Sequence, residues 1–390
     1  MTLLSTQRIT PGGLVRYRPE LEKYFHRNPN RYWCIEVVNA QDVLRIIDYV
    51  PATILSEIKH SDLYLIINNQ AEGFVSVLDP IYDDLIIKHE IPEHKIILVT
   101  ASYDIKESID AIASTKNKKI ISHVVWSVFE KALSSAISRG RIVSDIPNPN
   151  KKYICLNRRW RLHRSALVGL LASRNLLHSG YVSLTKSDDR KNWNTVYDSI
   201  LATHTHMPCQ ETLEILTQNR ANILSLPNLW VDTENTMLNP IWDWNETSHW
   251  YKDSVFSVVT ETNFYQTDRD STRFISEKTF KSVANCSPFI LVSVPNSLAV
   301  LKNLGYQTFS PWINESYDHE SNDNKRLLMI VHEIERLCNL PEDQLRKFRS
   351  EIEHICKHNF NILLSKKYPE DFIWDQRIAD HHSIGGPSRV

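Results

Sequence analysis

The stretch FISEKTFKSVANCSPFILVSVP, Phe274 to Pro295, sets Lys278 and Lys281 in the opening turns of a helix expected to start after Ser276. Positive charge gathers at a helix N-terminus, so a cation there costs about 0.3–1 kcal/mol unless an anion faces it. Two readings are open: a solvated lysine whose small cost is tolerated, or a lysine that faces an anionic ligand. A diphosphate at this position would meet free N–H groups, the helix dipole and Lys278, while Glu277 would accept hydrogen bonds from a ribose. A second concentration of cations lies in KKYICLNRRWRLHR, residues 151 to 164, where an apolar run leads into Arg158, Arg159, Arg161, His163 and Arg164. Planar guanidinium forks match phosphate oxygens and suit the neutralisation of a departing diphosphate. The same run also fits a solvated basic helix start or, with Trp160, a groove for a nucleic-acid backbone.

Both segments require a strand that ends where a helix begins, and the chain supplies that pattern twice. LYLIIN (63–68) and KIILVT (95–100) are short apolar runs suited to strands buried on both faces of a parallel sheet. AQDVLRIIDYV before the first run and SHVVWSVFEKALSSAISRG after the second read as helical. SDIPNPNKK then breaks the pattern near residue 150. A second series follows: KYICLN, a helix through HRSALVGLLASRNLL, the strand VFSVVT, the helix after Ser276, the strand PFILVSV and a short helix in NSLAVLKNLGY. WINESYDHESNDNKR reads as an exposed acidic connection, with Glu315 and Asp318 available to edge a cleft. NKRLLMIVHEIERLCNL and PEDQLRKFRSEIEHICKHNFNILL read as terminal helices, the second opened by a proline in its first turn.

The expected fold class is therefore α/β, two Rossmann-like domains facing across a cleft, with C-terminal helices. Residues 1–150 form an N-terminal domain, 151–340 a C-terminal domain, 341–375 a C-terminal helix and 376–390 a flexible tail. No internal repeat points to a solenoid or propeller.

Composition narrows the chemistry. Of 390 residues 42% are hydrophobic and 23% charged, as in a globular protein, and the net charge of −1 supplies no global attraction to nucleic acid. Nine glycines form neither G-x-G-x-x-G nor a P-loop, which disfavours the usual dehydrogenases, P-loop ATPases and protein kinases. Six scattered cysteines lack C-x-x-C pairing, and the two histidines of THTH (203–206) have no evident third ligand, so neither a zinc module nor a disulfide framework is expected. No apolar run reaches the roughly 20 residues a membrane span needs, and MTLLSTQRITPGG has no long apolar core, so the expectation is no membrane span and a cytoplasmic location.

FSVVTETNFYQTDRDSTRFISEKTFKSVANCSPFILVSVP resembles the donor-binding part of GT-B glycosyltransferases, especially the fucosyltransferase-like group. An aromatic-rich strand ends near a Glu-Asn pair, a Ser-Glu-Lys helix start follows, and then an apolar strand ends at proline. YICLNRRWRLHRSALVGLLASRNLLHSGYVSL is similar to the first strand and helix of their C-terminal domain. The likeness spans roughly residues 150 to 310 and suits a phage or bacterial member.

It implies a hexosyl- or pentosyltransferase that uses a nucleoside-diphosphate sugar as co-substrate, with inversion and without an obligatory metal or other cofactor. Glu277 matches the ribose-binding glutamate and Lys278 the lysine facing the diphosphate. Arg158 or Arg159 stands where an arginine neutralises the leaving nucleotide. Glu261 and Asn263 fall near the Glu-Asn pair, although Thr262 separates them here, and Tyr265 would stack or hydrogen-bond beside the nucleoside. An acceptor domain at the N-terminus would carry a carboxylate base within hydrogen-bond reach of the attacking hydroxyl. Glu72 follows an expected strand end beside Gly73 and is the choice, with Asp79, Asp83 and Asp84 as competitors. The acceptor could be a glycan, a protein or a hydroxylated base in DNA. The alternative is a non-catalytic protein of the same fold that binds nucleotide or nucleic acid, and a partner-binding role for the helical C-terminus is a third reading.

Overall fold

A computed structural model describes residues 32–37, 43–69, 73–127, 149–157, 161–184, 210–225, 244–266 and 271–366, with 129, 130, 133, 134 and 137. These residues form two compact units, each built on a four-stranded parallel sheet.

In the first unit the strands β1 (Tyr32–Glu36), β2 (Tyr64–Asn69), β3 (Ile96–Thr100) and β4 (Ser122–Val125) lie side by side in chain order. Every residue of β2 and β3 is buried, as continuous apolar runs in a covered parallel sheet require. Helices α1 (Ala52–His60) and α3 (Ile105–Thr115) cross over between strands. Between them α2 begins as a 3-10 turn at Val75–Val77, passes through an α turn at Leu78–Pro80 and widens into π-helical turns over Ile81–Lys88. Their inward faces, among them Ile54, Ile58, Ile81, Leu85, Ile105 and Ile109, complete the core.

β4 corrects the sequence reading, which took its residues as the start of a helix. Four residues of SHVV pair with β3, Val99 opposite Val124, and helical residues begin only beyond them. At an edge position so short a strand needs little apolar periodicity of its own, because pairing with a buried neighbour supplies its hydrogen bonds. The first unit also takes in a segment from far along the chain. Residues 271–275 lie against the end of β3, with an antiparallel bridge between Ser102 and Phe274.

The second unit contains β5 (Lys151–Cys155), α4 (Leu162–Ser173), β6 (Gly180–Val182), α5 (Gln210–Gln218), α6 (Trp244–Lys252) and β7 (Ser254–Thr260). α7 (Glu277–Ala284), β8 (Phe289–Val292), α8 (Ser297–Asn303), α9 (Asp323–Cys338) and α10 (Glu342–Ser365) follow, and a short helix at Arg220–Leu224 lies between α5 and α6. Its strand order is β6-β5-β7-β8, all parallel. The chain therefore builds outward from β5 to one side, returns, and builds β7 and β8 on the other. That reversal creates a topological switch point at the carboxyl ends of β5 and β7, where the crossover loops part and ligands bind in open α/β sheets.

α4 is buried over Leu162–Leu171, consistent with its apolar face and sandwiched position. The connection expected to be exposed is partly interior. Glu315–His319 forms a 3-10 turn with Tyr317 and Asp318 buried, because Asp318 accepts the Leu298 N–H that opens α8 and Tyr317 Oη accepts the Leu291 N–H of β8. The Glu315 carboxylate accepts from Thr308 Oγ1 and the Phe309 N–H, so both carboxylates serve the interior. The expected tail over 376–390 lies outside the described residues.

Candidate functional site

The carboxyl edge of the second sheet is assembled from three chain segments. Asn157 lies two residues past β5, and its Oδ1 accepts from Thr260 Oγ1 at 2.7 Å, joining the ends of the two strands that flank the switch point. The Asn157 side chain also donates to the Ser183 carbonyl beyond β6, so one amide ties three adjacent strand ends.

α4 then starts beside β7. Its second and third residues, His163 and Arg164, belong to the cationic run, yet both are buried, each 2% exposed. Arg164 donates to the carbonyls of Thr260 and Glu261 at 3.1 Å each, and the His163 ring nitrogen Nε2 lies 3.1 Å from the same Glu261 carbonyl. Burial, reinforced by Arg164 and Arg161, pushes the His163 pKa well below its usual value. The ring is therefore neutral and donates Nε2–H to that carbonyl, stacked on Phe264 at 5.3 Å and edge-on to Tyr265 at 6.2 Å. Burial lowers Arg164 to about 10, still charged at neutral pH. These two residues hold the end of β7 from the interior, so they are not available to the phosphate-facing row expected from the cationic run.

Glu261, one residue past β7, is fully buried. Its carboxylate accepts from the Ser276 N–H at 3.1 Å, Ser276 Oγ at 2.5 Å and Thr279 Oγ1 at 2.6 Å. It is a strut between the strand tip and the first turn of α7. Ser276 is the N-cap expected from sequence, and its hydroxyl oxygen accepts the Lys278 N–H.

Lys278 Nζ donates to the same hydroxyl at 2.8 Å and lies 3.1 Å from Glu277 Oε1. The anion facing the lysine in this structure is thus its own neighbour. Burial opposes ionisation of Glu277, but Lys278 and Lys281 outweigh it and hold the carboxyl at about 2. Lys278 and Glu277 retain 27% and 16% side-chain exposure, so this pair faces outward from a first turn whose other polar groups are interior.

Behind them Arg326, 1% exposed, donates to the carbonyls of Ser293, Phe264 and Glu320 and to Asp323, with its guanidinium 4.4 Å from the Phe264 ring. It closes the segment after β7 against the end of β8. No motif marked Asn157 or Arg326 in the sequence, since each acts through main-chain carbonyls or strand tips that only the sheet brings near.

The structure therefore brings Glu261, Glu277 and Lys278 together at one helix start. Asn263 and Tyr265 lie on the segment that leaves β7, Asn263 half-buried and Tyr265 buried. Glu72, Arg158 and Arg159 lie outside the described residues. Asp83 pairs with Lys116, and Asp79 and Asp83 lie on α2 of the first unit with Asp84.

A first-turn lysine, an ionised glutamate and the N-termini of two helices at a switch point can receive an anionic group together with neighbouring hydroxyls. No helix of the described residues is long and apolar enough to cross a membrane. No protein-family model matches the chain, and no curated protein matches it. Among solved structures, the alpha,alpha-trehalose 6-phosphate synthase of Burkholderia multivorans aligns with 98% of this chain and 83% of its own, at 11% identity and a TM-score of 0.43. Likeness of that degree leaves function to be argued from the site.

Proposed function

We propose that this chain is a GT-B-type glycosyltransferase, of the fucosyltransferase-like kind, that carries a hexosyl or pentosyl group from a nucleoside-diphosphate sugar to an acceptor hydroxyl. The observation that supports this most is the helix start at the switch point of the second sheet. There Glu277 and Lys278 face outward while Glu261, Ser276 and Thr279 lock the turn from within. A diphosphate bound there gains the dipole of α7 and exchanges Lys278's internal partner for its own oxygens. Glu277, ionised at neutral pH, is available to accept from ribose hydroxyls.

In the inverting reaction the acceptor oxygen attacks the anomeric carbon as the bond from that carbon to the phosphate oxygen breaks. The diphosphate leaves with the bonding electrons, and the acceptor proton passes to a carboxylate base, for which Glu72 is our candidate. Charge growing on the leaving oxygens is stabilised by Lys278, by the α7 N-terminus and by Arg158 or Arg159, a division of labour that needs no obligatory metal. Asn263 and Tyr265 are assigned to the nucleoside side, with Glu261 acting as the support of the turn. Glycan, protein and hydroxylated DNA base are the acceptor classes, and a cytoplasmic location accords with nucleotide sugars as co-substrates.

The test is thermal-shift binding with UDP-, GDP-, ADP-, CMP- and dTDP-linked sugars. A donor at 100 times its dissociation constant stabilises the native state by about 2.7 kcal/mol. We expect one nucleotide family to raise the melting temperature and Lys278→Ala to abolish the rise. Absence of a shift with every donor would sink the proposal. Binding without sugar transfer to any acceptor class would leave the non-catalytic nucleotide-binding reading.

A further inference from the structure

The chain leaves the first unit and enters the second between Ile275 and Ser276. Ser276 is the N-cap of α7, and the two residues after it are the proposed donor ligands. The residues just before this crossing are held in the first unit chiefly by one carboxylate, Asp104. It accepts from Thr272 Oγ1, from Ser102 Oγ at 3.0 Å and from the Arg273 N–H at 3.1 and 3.2 Å, while the Arg273 guanidinium lies 3.8 Å away. The Ser102 and Thr272 hydroxyl oxygens also touch, so their two protons are shared among the carboxylate and each other, and both residues are buried.

Backbone pairing adds a second hold, because the Tyr103 N–H donates to the Arg273 carbonyl at 3.0 Å. Packing adds a third. The Phe274 ring presses on Gly73, where a Cβ would come within 2.8 Å of the ring, and Gly73 has φ of +64°. Only three residues lie between Thr272 and Ser276, so any slack in this clamp passes along the backbone into the helix start.

We infer that Asp104 is a positioning residue for the donor site. By clamping residues 272–274 it limits the orientations open to Ser276, Glu277 and Lys278 and pre-orders the turn that receives the diphosphate. The inference rests on the proposed function for its ligand, but its mechanical part does not. A site ordered before binding loses less freedom when the ligand arrives, which appears as affinity. Nothing about the Asp104 carboxylate requires contact with substrate.

The experiment measures amide hydrogen exchange in the full-length wild type, Asp104→Ala and Asp104→Asn, without ligand and with the panel of nucleotide sugars. In Asp104→Ala the amides of Arg273, Ser276 and Lys278 should exchange at least about tenfold faster, while those of β5, β7 and β8 stay unchanged. Asp104→Asn keeps an oxygen that accepts from the Arg273 N–H and should restore most of the protection. Where a nucleotide sugar binds the wild type, its dissociation constant should rise about tenfold in Asp104→Ala and recover in Asp104→Asn.

Unchanged exchange at Ser276 and Lys278 in Asp104→Ala overturns the inference, as does acceleration spread equally through both sheets. Should the alanine variant fail to fold, Thr272→Val removes one clamp hydroxyl at nearly constant volume and is held to the same criteria. If no donor binds the wild type, the proposed function fails, while exchange at Ser276 and Lys278 still decides the clamp.

Discussion

Two carboxyls in the second unit have opposite surroundings and give opposite pH signatures. Glu277 is held at about 2 because Lys278 and Lys281 outweigh its burial. Its folded value lies below the unfolded one, so its contribution to stability is complete above about pH 4.5 and disappears as pH falls toward 2. Urea titrations should find Glu277→Gln less stable than wild type by about 1–3 kcal/mol at pH 7, with the gap closing between pH 4.5 and 2. Asp318 runs the other way. Burial raises it to about 6, despite the Leu298 N–H it accepts. Native protein then binds the proton more tightly than unfolded chain, so wild-type stability falls as pH climbs from about 4 to 6 and stays reduced above. Asp318→Asn retains an acceptor for Leu298 without the charge. It should be the more stable protein at pH 8 by about 1–3 kcal/mol and lose that advantage at pH 4.

At the scale of elements, the first turn of α7 is the junction on which the site depends. Ser276 caps the helix, donates to Glu261 and accepts from Lys278, so Ser276→Ala removes more than a cap. A lost N-cap costs about 1 kcal/mol, and a buried carboxylate deprived of one donor adds a similar or larger amount. Chemical denaturation should therefore find a loss of about 2–4 kcal/mol. Ser276→Thr, which keeps the hydroxyl, should recover most of it. A variant no less stable than an ordinary exposed serine substitution would mean that the strut from Glu261 is not holding the turn. β6 illustrates a different constraint on an element. A Cβ at Gly180 would meet the Tyr153 ring at 2.5 Å, and Tyr153 is itself fully buried, so the strand's first position admits only glycine without repacking β5.

Across the whole molecule each unit has a parallel sheet whose middle strands are wholly interior, β2 and β3 in the first and β7 with the end of β5 in the second. Slowest hydrogen exchange should map to those strands, with edge strands β1, β4 and β6 faster, as read by mass spectrometry. Leu98→Ala in β3, at a fully buried position, should cost about 2–5 kcal/mol by denaturant unfolding of the first unit.

How much of this the sequence carried depends on whether a feature is local. Runs such as LYLIIN, KIILVT and VFSVVT, the Ser276 cap and the terminal helices were legible because burial on both faces, capping and helical periodicity leave marks within a few residues. Glu277 and Lys278 were legible as a candidate pair for the same reason, since a cation at a helix start conflicts with its immediate surroundings. Edge strands β1, β4 and β6 left weak marks, because their stability comes from a neighbour in the sheet.

Tertiary structure alone decided the rest. The direction in which β6 and β7 add to β5 creates the switch point. Pairing across 96 to 98 residues turned His163 and Arg164 from apparent phosphate ligands into interior supports of the β7 carbonyls. Asp104 holds residues 168 and 169 positions away. Sequence by itself determined which residues could ionise, cap and bury. Whether a charge faces water or a buried carbonyl was settled by strand order, because the partner that fixes its state arrives from a distant part of the chain.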